Sequence, residues 1–326
     1  MENRKMTEQA TVLYIGGHGR SGSTILAQTL GQIPGFVNVG ELWLVWYRGL
    51  RENERCGCGQ LFYSCEFWRA VGDEAFGGWE NVDVDKMVAF SPFLQSLRYT
   101  PHYALAARTG IRSGKFNTLL EECGPVLKRL YRAIQTVSGA RVIVDSSKRS
   151  SYAVLLSLLP LVDLRVVHLV RDSRAVAYSW QRSKEDPAVV GGRLMPRFSP
   201  AKASRVWSLQ NYSYGFLSDF ARLSRLRYED FVHDPAFYLG EALIRVGFDD
   251  ESGSLHDVVR GREISLSLDH TVSGNPSRFR TGKIRLQPDE EWKDKMRGAD
   301  KNVVTALTAP LLLKYGYLGK MATSEW

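Results

Sequence analysis

The sequence predicts an α/β protein: a P-loop-type parallel β-sheet flanked by helices, with an inserted, mainly helical cap. Three observations carry this. A short apolar run, Thr11 to Gly16 (TVLYIG), ends in glycines and reads as a buried strand. GHGRSGST at residues 17–24 follows, and then a helical stretch from Ser23 to about Gln32. Strand, glycine loop and helix in that order let loop amides and a helix N-terminus converge on one anion. Further apolar runs at Arg141 to Val144, Leu164 to Val170 and Leu223 to Tyr228 end in DSSKR, RDSR and YED. Ligands of open parallel sheets bind beyond the carboxyl ends of strands, so these endings and the loop mark one shared site.

With 326 residues, 44% hydrophobic and 24% charged, the chain is long and apolar enough for a large core. The simplest reading is a single domain over 1–326. The net charge of +8 comes from scattered arginines rather than basic runs, which favours a small anionic ligand over nucleic acid. No window supplies the roughly 18 apolar residues of a membrane span, and MENRKMTEQA lacks a signal-peptide core. A cytoplasmic location is expected. Of the four cysteines, Cys56, Cys58 and Cys65 cluster in RCGCGQLFYSC, with Cys123 distant. Zinc sites favour four ligands and C-x-x-C spacing, so the stretch reads as a glycine-rich turn, with a local metal or thiol cluster as the alternative.

Between Gly49 and Ser138 lies an insertion rich in Trp, Phe and Arg, helical in NTLLEECGPVLKRLYRAIQ. It is expected either to cap an acceptor or to cover the sheet as a plain helical layer. Glu185 to Pro200 carries Pro and Gly punctuation without a period and is expected to be a mobile loop.

Against the phosphate-loop pattern G-x-x-x-x-G-K-S/T, Gly17, Gly22 and Thr24 are in place but Ser23 replaces the lysine. In kinases and GTPases that lysine neutralises the β- and γ-phosphates. A phosphosulfate, with less charge on its terminal group, needs only backbone amides, Ser23, Thr24 and one guanidinium from Arg20. It also needs no metal bridge.

The loop GRSGST, the later VVHLVRDSRAVAYS and the C-terminal GNPSRF resemble the sulfotransferases that use 3′-phosphoadenosine 5′-phosphosulfate (PAPS), particularly bacterial members and the tyrosylprotein branch. The resemblance implies that Gly19, Arg20, Ser21, Gly22, Ser23 and Thr24 hold the 5′-phosphosulfate. It gives the 3′-phosphate to Arg171 and, eight residues later, Ser179 at the start of the next helix. Arg171 salt-bridged to Asp172 on the surface is the plain alternative. The family commonly has proline where Ser173 stands, a change that affects only turn stiffness. Ser273 to Arg285 resembles the closing loop over the nucleotide, with Arg278 foremost, then Arg280 and Lys283. Tyr228 is either a nucleotide-flanking tyrosine or a core residue.

By the same resemblance Lys148 occupies a catalytic lysine position, with Ser146 as its rival and a plain solvated lysine as the bland alternative, and Glu41 in FVNVGELW matches a catalytic glutamate at the end of a second strand. Glu41 is then the general base, or else it only orients Arg20 by a salt bridge, leaving His18 or His270 as bases. His168, inside a strand, is expected to be structural. The implied reaction is in-line sulfuryl transfer to an acceptor hydroxyl (sugar, lipid, phenol or tyrosine), releasing adenosine 3′,5′-bisphosphate without a metal. The rivals are a P-loop-type kinase and a non-catalytic nucleotide-binding module.

Overall fold

The computed structural model describes residues 9–110, 114–160, 162–183, 185–189 and 192–319. Five strands, β1 (Ala10–Gly17), β2 (Phe36–Gly40), β3 (Val142–Lys148), β4 (Val162–Val170) and β5 (Arg222–Arg227), form one sheet in the order β2-β3-β1-β4-β5. All four pairings are parallel. The second strand that Glu41 was expected to follow is β2, which stops one residue before it.

The sequence of β1 shows why the sheet is central. Its alternate residues enter different cores: Val12 and Tyr14 join a cluster with Ile143 and Val166, whereas Leu13 and Ile15 join one with Val144, Val167 and Leu169. A strand buried on both faces has no polar side to present, hence the unbroken apolar run. The fully buried Leu13, Ile15 and Val12 each contribute roughly 1.5–3 kcal/mol by leaving water.

The segment between β2 and β3 is mainly helical, through α1's successor helices α2 (Glu66–Phe76), α3 (Val84–Gln95), α4 (Thr100–Thr109) and α5 (Gly124–Ser138), with α1 itself (Ser23–Leu30) following the glycine loop. Trp46, Phe62, Trp68, Leu127 and Tyr131 of this segment share one core with the sheet. The insertion is thus a layer on one sheet face. Behind the other face pack α1, the helix Pro235–Arg245 and a small antiparallel sheet of β6 (Val259–Arg260), β7 (Glu263–Leu266) and β8 (Gly282–Arg285). The expected closing loop therefore ends as a strand: Lys283 lies opposite Ser265 on β8. Of the loop expected over 185–200, residues 190 and 191 lie outside the described residues. Its start is tied down, with Asp186 paired to Arg48 at 3.1 Å. Among the described residues no helix is long and apolar enough to cross a membrane.

His168 on β4 is buried beside Tyr214, and its Nε2 lies 2.9 Å from Asn211 Oδ1. Asn211 Nδ2 donates to the Trp207 carbonyl, so Oδ1 faces the ring and Nε2–H is the donor. This is the structural role expected of it. Burial pushes the imidazole pKa down to about 3. Because the folded value is depressed for a base, the stability this group contributes is complete above the unfolded value of about 6.5 and is lost as pH falls below it. The slope from one such histidine is about 1.4 kcal/mol per pH unit. Urea unfolding of His168→Gln between about pH 6 and pH 4.5 should show a slope shallower than wild type by roughly that amount. Identical slopes would contradict the assignment.

Candidate functional site

At the carboxyl edge of the sheet a cavity of about 380 Å³ opens between the glycine loop, the ends of β3 and β4, and the segment after β7. Gly22 caps α1 at φ +92 with no side-chain cap, and a Cβ there would lie 2.5 Å from the Tyr228 ring. Glycine is required both by the left-handed backbone and by that contact. The first-turn amides of α1 consequently face the cavity without a capping side chain, and Ser23 and Thr24 line it. Thr24 Oγ1 accepts from the Asn275 amide at 3.1 Å.

Arg20 has φ +71, a conformation costing a non-glycine residue roughly 1–2 kcal/mol. Its carbonyl accepts from Arg171 Nη1 at 3.1 Å, its guanidinium lies 5.0 Å over the Trp180 ring, and Nη2 touches Met195 Sδ at 3.2 Å. Nη1 is buried with no hydrogen-bond partner. A guanidinium with an unused buried donor at the edge of a cavity can hold an anion.

A bulge at the end of β3 places the second cation. Tyr14 is opposite Asp145, but Gly16 is opposite Lys148, so three residues of β3 span two of β1. Lys148 takes φ +66, and Nζ meets Glu41 Oε1 at 2.6 Å. Bulges re-aim side chains in this way. Asp145 holds the bulge: it accepts from the Ser147 amide at 2.8 Å, the Ser147 hydroxyl, the Leu42 amide at 3.4 Å and Tyr131 Oη at 2.5 Å. Burial pushes its carboxyl up to about 6 against those donors. Gln210 and Tyr214 both donate to the Lys148 carbonyl.

Several expectations change here. Glu41 pairs with Lys148 rather than with Arg20, because the bulge brings Nζ to the end of β2. Ser146 is buried and does not line the cavity, whereas Ser147, Lys148 and Arg149 do. Asp172 pairs with Arg174 at 2.6 Å, and Arg171 with Asp289 at 3.0 Å. Arg171 also lies 4.5 Å over Tyr228, which supports both it and the glycine loop without lining the cavity. Ser179 does line the cavity, but the helix begins at Ser173, so it sits in the later turns and gains nothing from N-terminal amides. Arg278 is buried yet turned away, donating at 2.5 Å to the carbonyls of Thr271 and Arg55. Arg280 and Lys283 are exposed and outside the lining. Ser21 is buried behind the loop. His18 lines the cavity and donates from Nδ1 to the Gly19 carbonyl at 2.7 Å, but burial lowers its pKa to about 3, leaving it a poor base. His270 stands elsewhere, 3.3 Å from Cys65 Sγ.

Sequence reasoning missed the apolar wall: Trp180, stacked on Phe198 at 4.3 Å, with Met195 and Val206. None of it comes from the helical insertion. Trp180 was discoverable as the neighbour of Ser179. Gln210 and Asp289 sit in stretches with no motif.

No family model matches the sequence, and no curated protein matches it. Solved structures similar to the chain include a sulfotransferase domain from the curacin biosynthetic pathway, at 18% identity and TM-score 0.47, covering 93% of this chain and 97% of that one. Another is a sulfotransferase from Mycobacterium avium, at 12% identity and TM-score 0.43, covering 94% of this chain and 76% of the other. Neither description names a tyrosylprotein enzyme. At these identities and scores the likeness carries nothing about chemistry, which rests on the cavity's own residues.

Replacing Arg20 by glycine relieves its backbone strain while loosening the unfolded chain, effects of similar size, about 1 kcal/mol each. The melting temperature of Arg20→Gly should stay within about 2 °C of wild type. Inorganic pyrophosphate should raise the wild-type melting temperature but not that of the variant. An equal rise in both would remove Arg20 from anion binding.

Proposed function

We propose that the protein is a sulfotransferase that moves a sulfuryl group from PAPS directly to an acceptor hydroxyl and releases adenosine 3′,5′-bisphosphate. The observation that carries this reading is the meeting of three features in one cavity: a phosphate loop without its lysine, a separate Arg171–Ser179 pair, and the Glu41–Lys148 ion pair. The loop amides with Arg20 suit the 5′-phosphosulfate. Arg171 and Ser179 suit a second phosphate on the same ligand, the 3′-phosphate that distinguishes this nucleotide.

The transfer breaks the bond from sulfur to the phosphate's bridging oxygen and forms one from sulfur to the acceptor oxygen. The acceptor's proton goes to Glu41, and the electron pair of the broken bond stays on the departing phosphate. Lys148 and Arg20 stabilise the charge that gathers on the bridging and sulfuryl oxygens. Before reaction the contact with Lys148 holds the Glu41 carboxylate in place, with 19% of the Glu41 side chain exposed to a ligand. The wall of Trp180, Phe198, Met195 and Val206 suits an acceptor with an apolar face, such as a phenol, a lipid or a sugar ring.

A kinase would need carboxylates for its metal. The carboxylates lining this cavity are Glu41 and Asp289, each already paired to a cation.

Two outcomes are expected. Removing a buried, hydrogen-bonded charge from a ligand contact costs roughly 2–5 kcal/mol. Arg171→Ala should therefore weaken bisphosphate binding by well over about tenfold and leave AMP binding nearly unchanged, as read by calorimetry. Equal affinity of the wild type for both nucleotides would sink the assignment. In magnesium-free buffer, Glu41→Gln should keep its bisphosphate affinity while the single-turnover rate of sulfuryl transfer falls by about a hundredfold or more. Transfer at the wild-type rate would exclude Glu41 as base, and turnover that requires magnesium would favour phosphoryl chemistry.

A further inference from the structure

The cysteine cluster that the sequence left open acquires a fourth member in the fold. Cys56, Cys58, Cys65 and His270 place one ligand atom each within 4.8 Å of one another. Cys58 Sγ to Cys65 Sγ is 3.7 Å, Cys65 Sγ to His270 Nδ1 is 3.3 Å, and Cys56 Sγ to His270 Nδ1 is 3.9 Å. A tetrahedral zinc with Zn–S near 2.3 Å and Zn–N near 2.05 Å has S···S edges of about 3.8 Å and S···N edges of about 3.5 Å. The Cys58–Cys65 and Cys65–His270 separations lie within about 0.2 Å of those edges, and the Cys56–His270 separation is about 0.4 Å longer. They do not match a disulfide, whose sulfurs lie about 2.05 Å apart, and all four cysteines are free. We propose that these four side chains bind a structural zinc ion.

The surroundings are built for such an ion. The C-G-C-G turn folds back on itself, with the Gly59 amide donating to the Cys56 carbonyl and the Cys56 amide to Gln60, both at 2.8 Å. At Gly57, a Cβ would stand 2.5 Å from Asp269 Oδ1, so only glycine lets the turn lie against the His270 segment. The ring of His270 is stacked on Phe67 at 4.9 Å, and its carbonyl accepts from Trp68 Nε1 at 2.9 Å. Both contacts fix the imidazole relative to the three sulfurs, the orienting role that outer partners play around metals. Three thiolates and a neutral imidazole leave Zn²⁺ with a net charge of −1, and three protons depart on binding. The Arg278 guanidinium, on the Arg55 carbonyl next to Cys56, supplies a compensating positive charge.

The ion would join two stretches that are distant in sequence: residues 56–65, from the turn to the start of α2, and the segment beginning at Asp269. That last segment continues to Gly274, Asn275 and Ser277 in the cavity lining, and the Asn275 amide reaches Thr24. Zinc is thereby assigned to fastening the roof of the cavity, not to the reaction beneath it.

Metal analysis of the purified, reduced full-length protein should find about one zinc per chain, and cobalt exchanged into the site should give the intense visible bands of tetrahedral thiolate coordination. Cys65→Ser and His270→Ala should each fall below about one zinc in ten chains, whereas Cys123→Ser, at a buried cysteine outside the four-ligand group, should keep its zinc. Should the ligand variants not fold, native wild-type protein decides. A thiol reagent that displaces zinc should release one ion per chain as Cys56, Cys58 and Cys65 react. Wild-type protein without zinc that takes none up after reduction overturns the proposal. So does zinc retained in both ligand variants, or iron or copper in its place.

Discussion

The arrangement depends on one buried carboxylate. Asp145 gathers the Leu42 and Ser147 amides, the Ser147 hydroxyl and Tyr131 Oη. Each of these donors belongs to a different structural decision. Leu42 follows Glu41 out of β2, Ser147 precedes Lys148 in the bulge of β3, and Tyr131 comes from a helix of the covering layer. An uncompensated buried carboxylate costs several kcal/mol, so the donors must converge. Their convergence puts Glu41 and Lys148 side by side at the mouth of the cavity. The left-handed Lys148 and Arg20 are local losses tolerated because the surrounding packing and hydrogen bonds leave the backbone no alternative.

The sequence made the strands and the glycine loop legible because both are local signals. TVLYIG must be buried on both faces, and GHGRSGST can only be a tight turn before a helix. Glu41, Lys148, Arg20, Arg171 and Ser179 were likewise found from strand ends and family resemblance, and all five line one cavity. What stayed hidden depends on contacts across the chain. The bulge in β3 brings Lys148 to Glu41 and leaves Ser146 outside the cavity lining, and no spacing in DSSKR announces it. Arg278 looked like a ligand for the nucleotide because it is basic and sits in the closing segment, but two carbonyls hold it inward. β8, reading GKIR, has too little β-branched character to declare itself and forms by pairing with β7. His270 lies 205 residues from Cys65, so no cysteine spacing could have included it.

Charge is distributed with the same economy. The cations that line the cavity are each matched to a single carboxylate or to none. Lys148 has Glu41, Arg171 has Asp289, and Arg20 has only an aromatic face and a thioether. Asp289, whose side chain is 39% exposed, therefore stands where an incoming phosphate would compete for Arg171. The described residues of the helical layer contribute no wall to this cavity and their aromatic side chains pack in the core, while Trp180, Phe198, Met195 and Val206 form its apolar side.

The most direct test of this account is a crystal structure with adenosine 3′,5′-bisphosphate bound. The account predicts the 5′-phosphate against the amides at the start of α1 with Arg20 on it, and the 3′-phosphate between Arg171 and Ser179 with Asp289 displaced. Glu41 and Lys148 should remain open to the acceptor side. A nucleotide bound in the reverse direction, or one whose 3′-phosphate touches neither Arg171 nor Ser179, would contradict it.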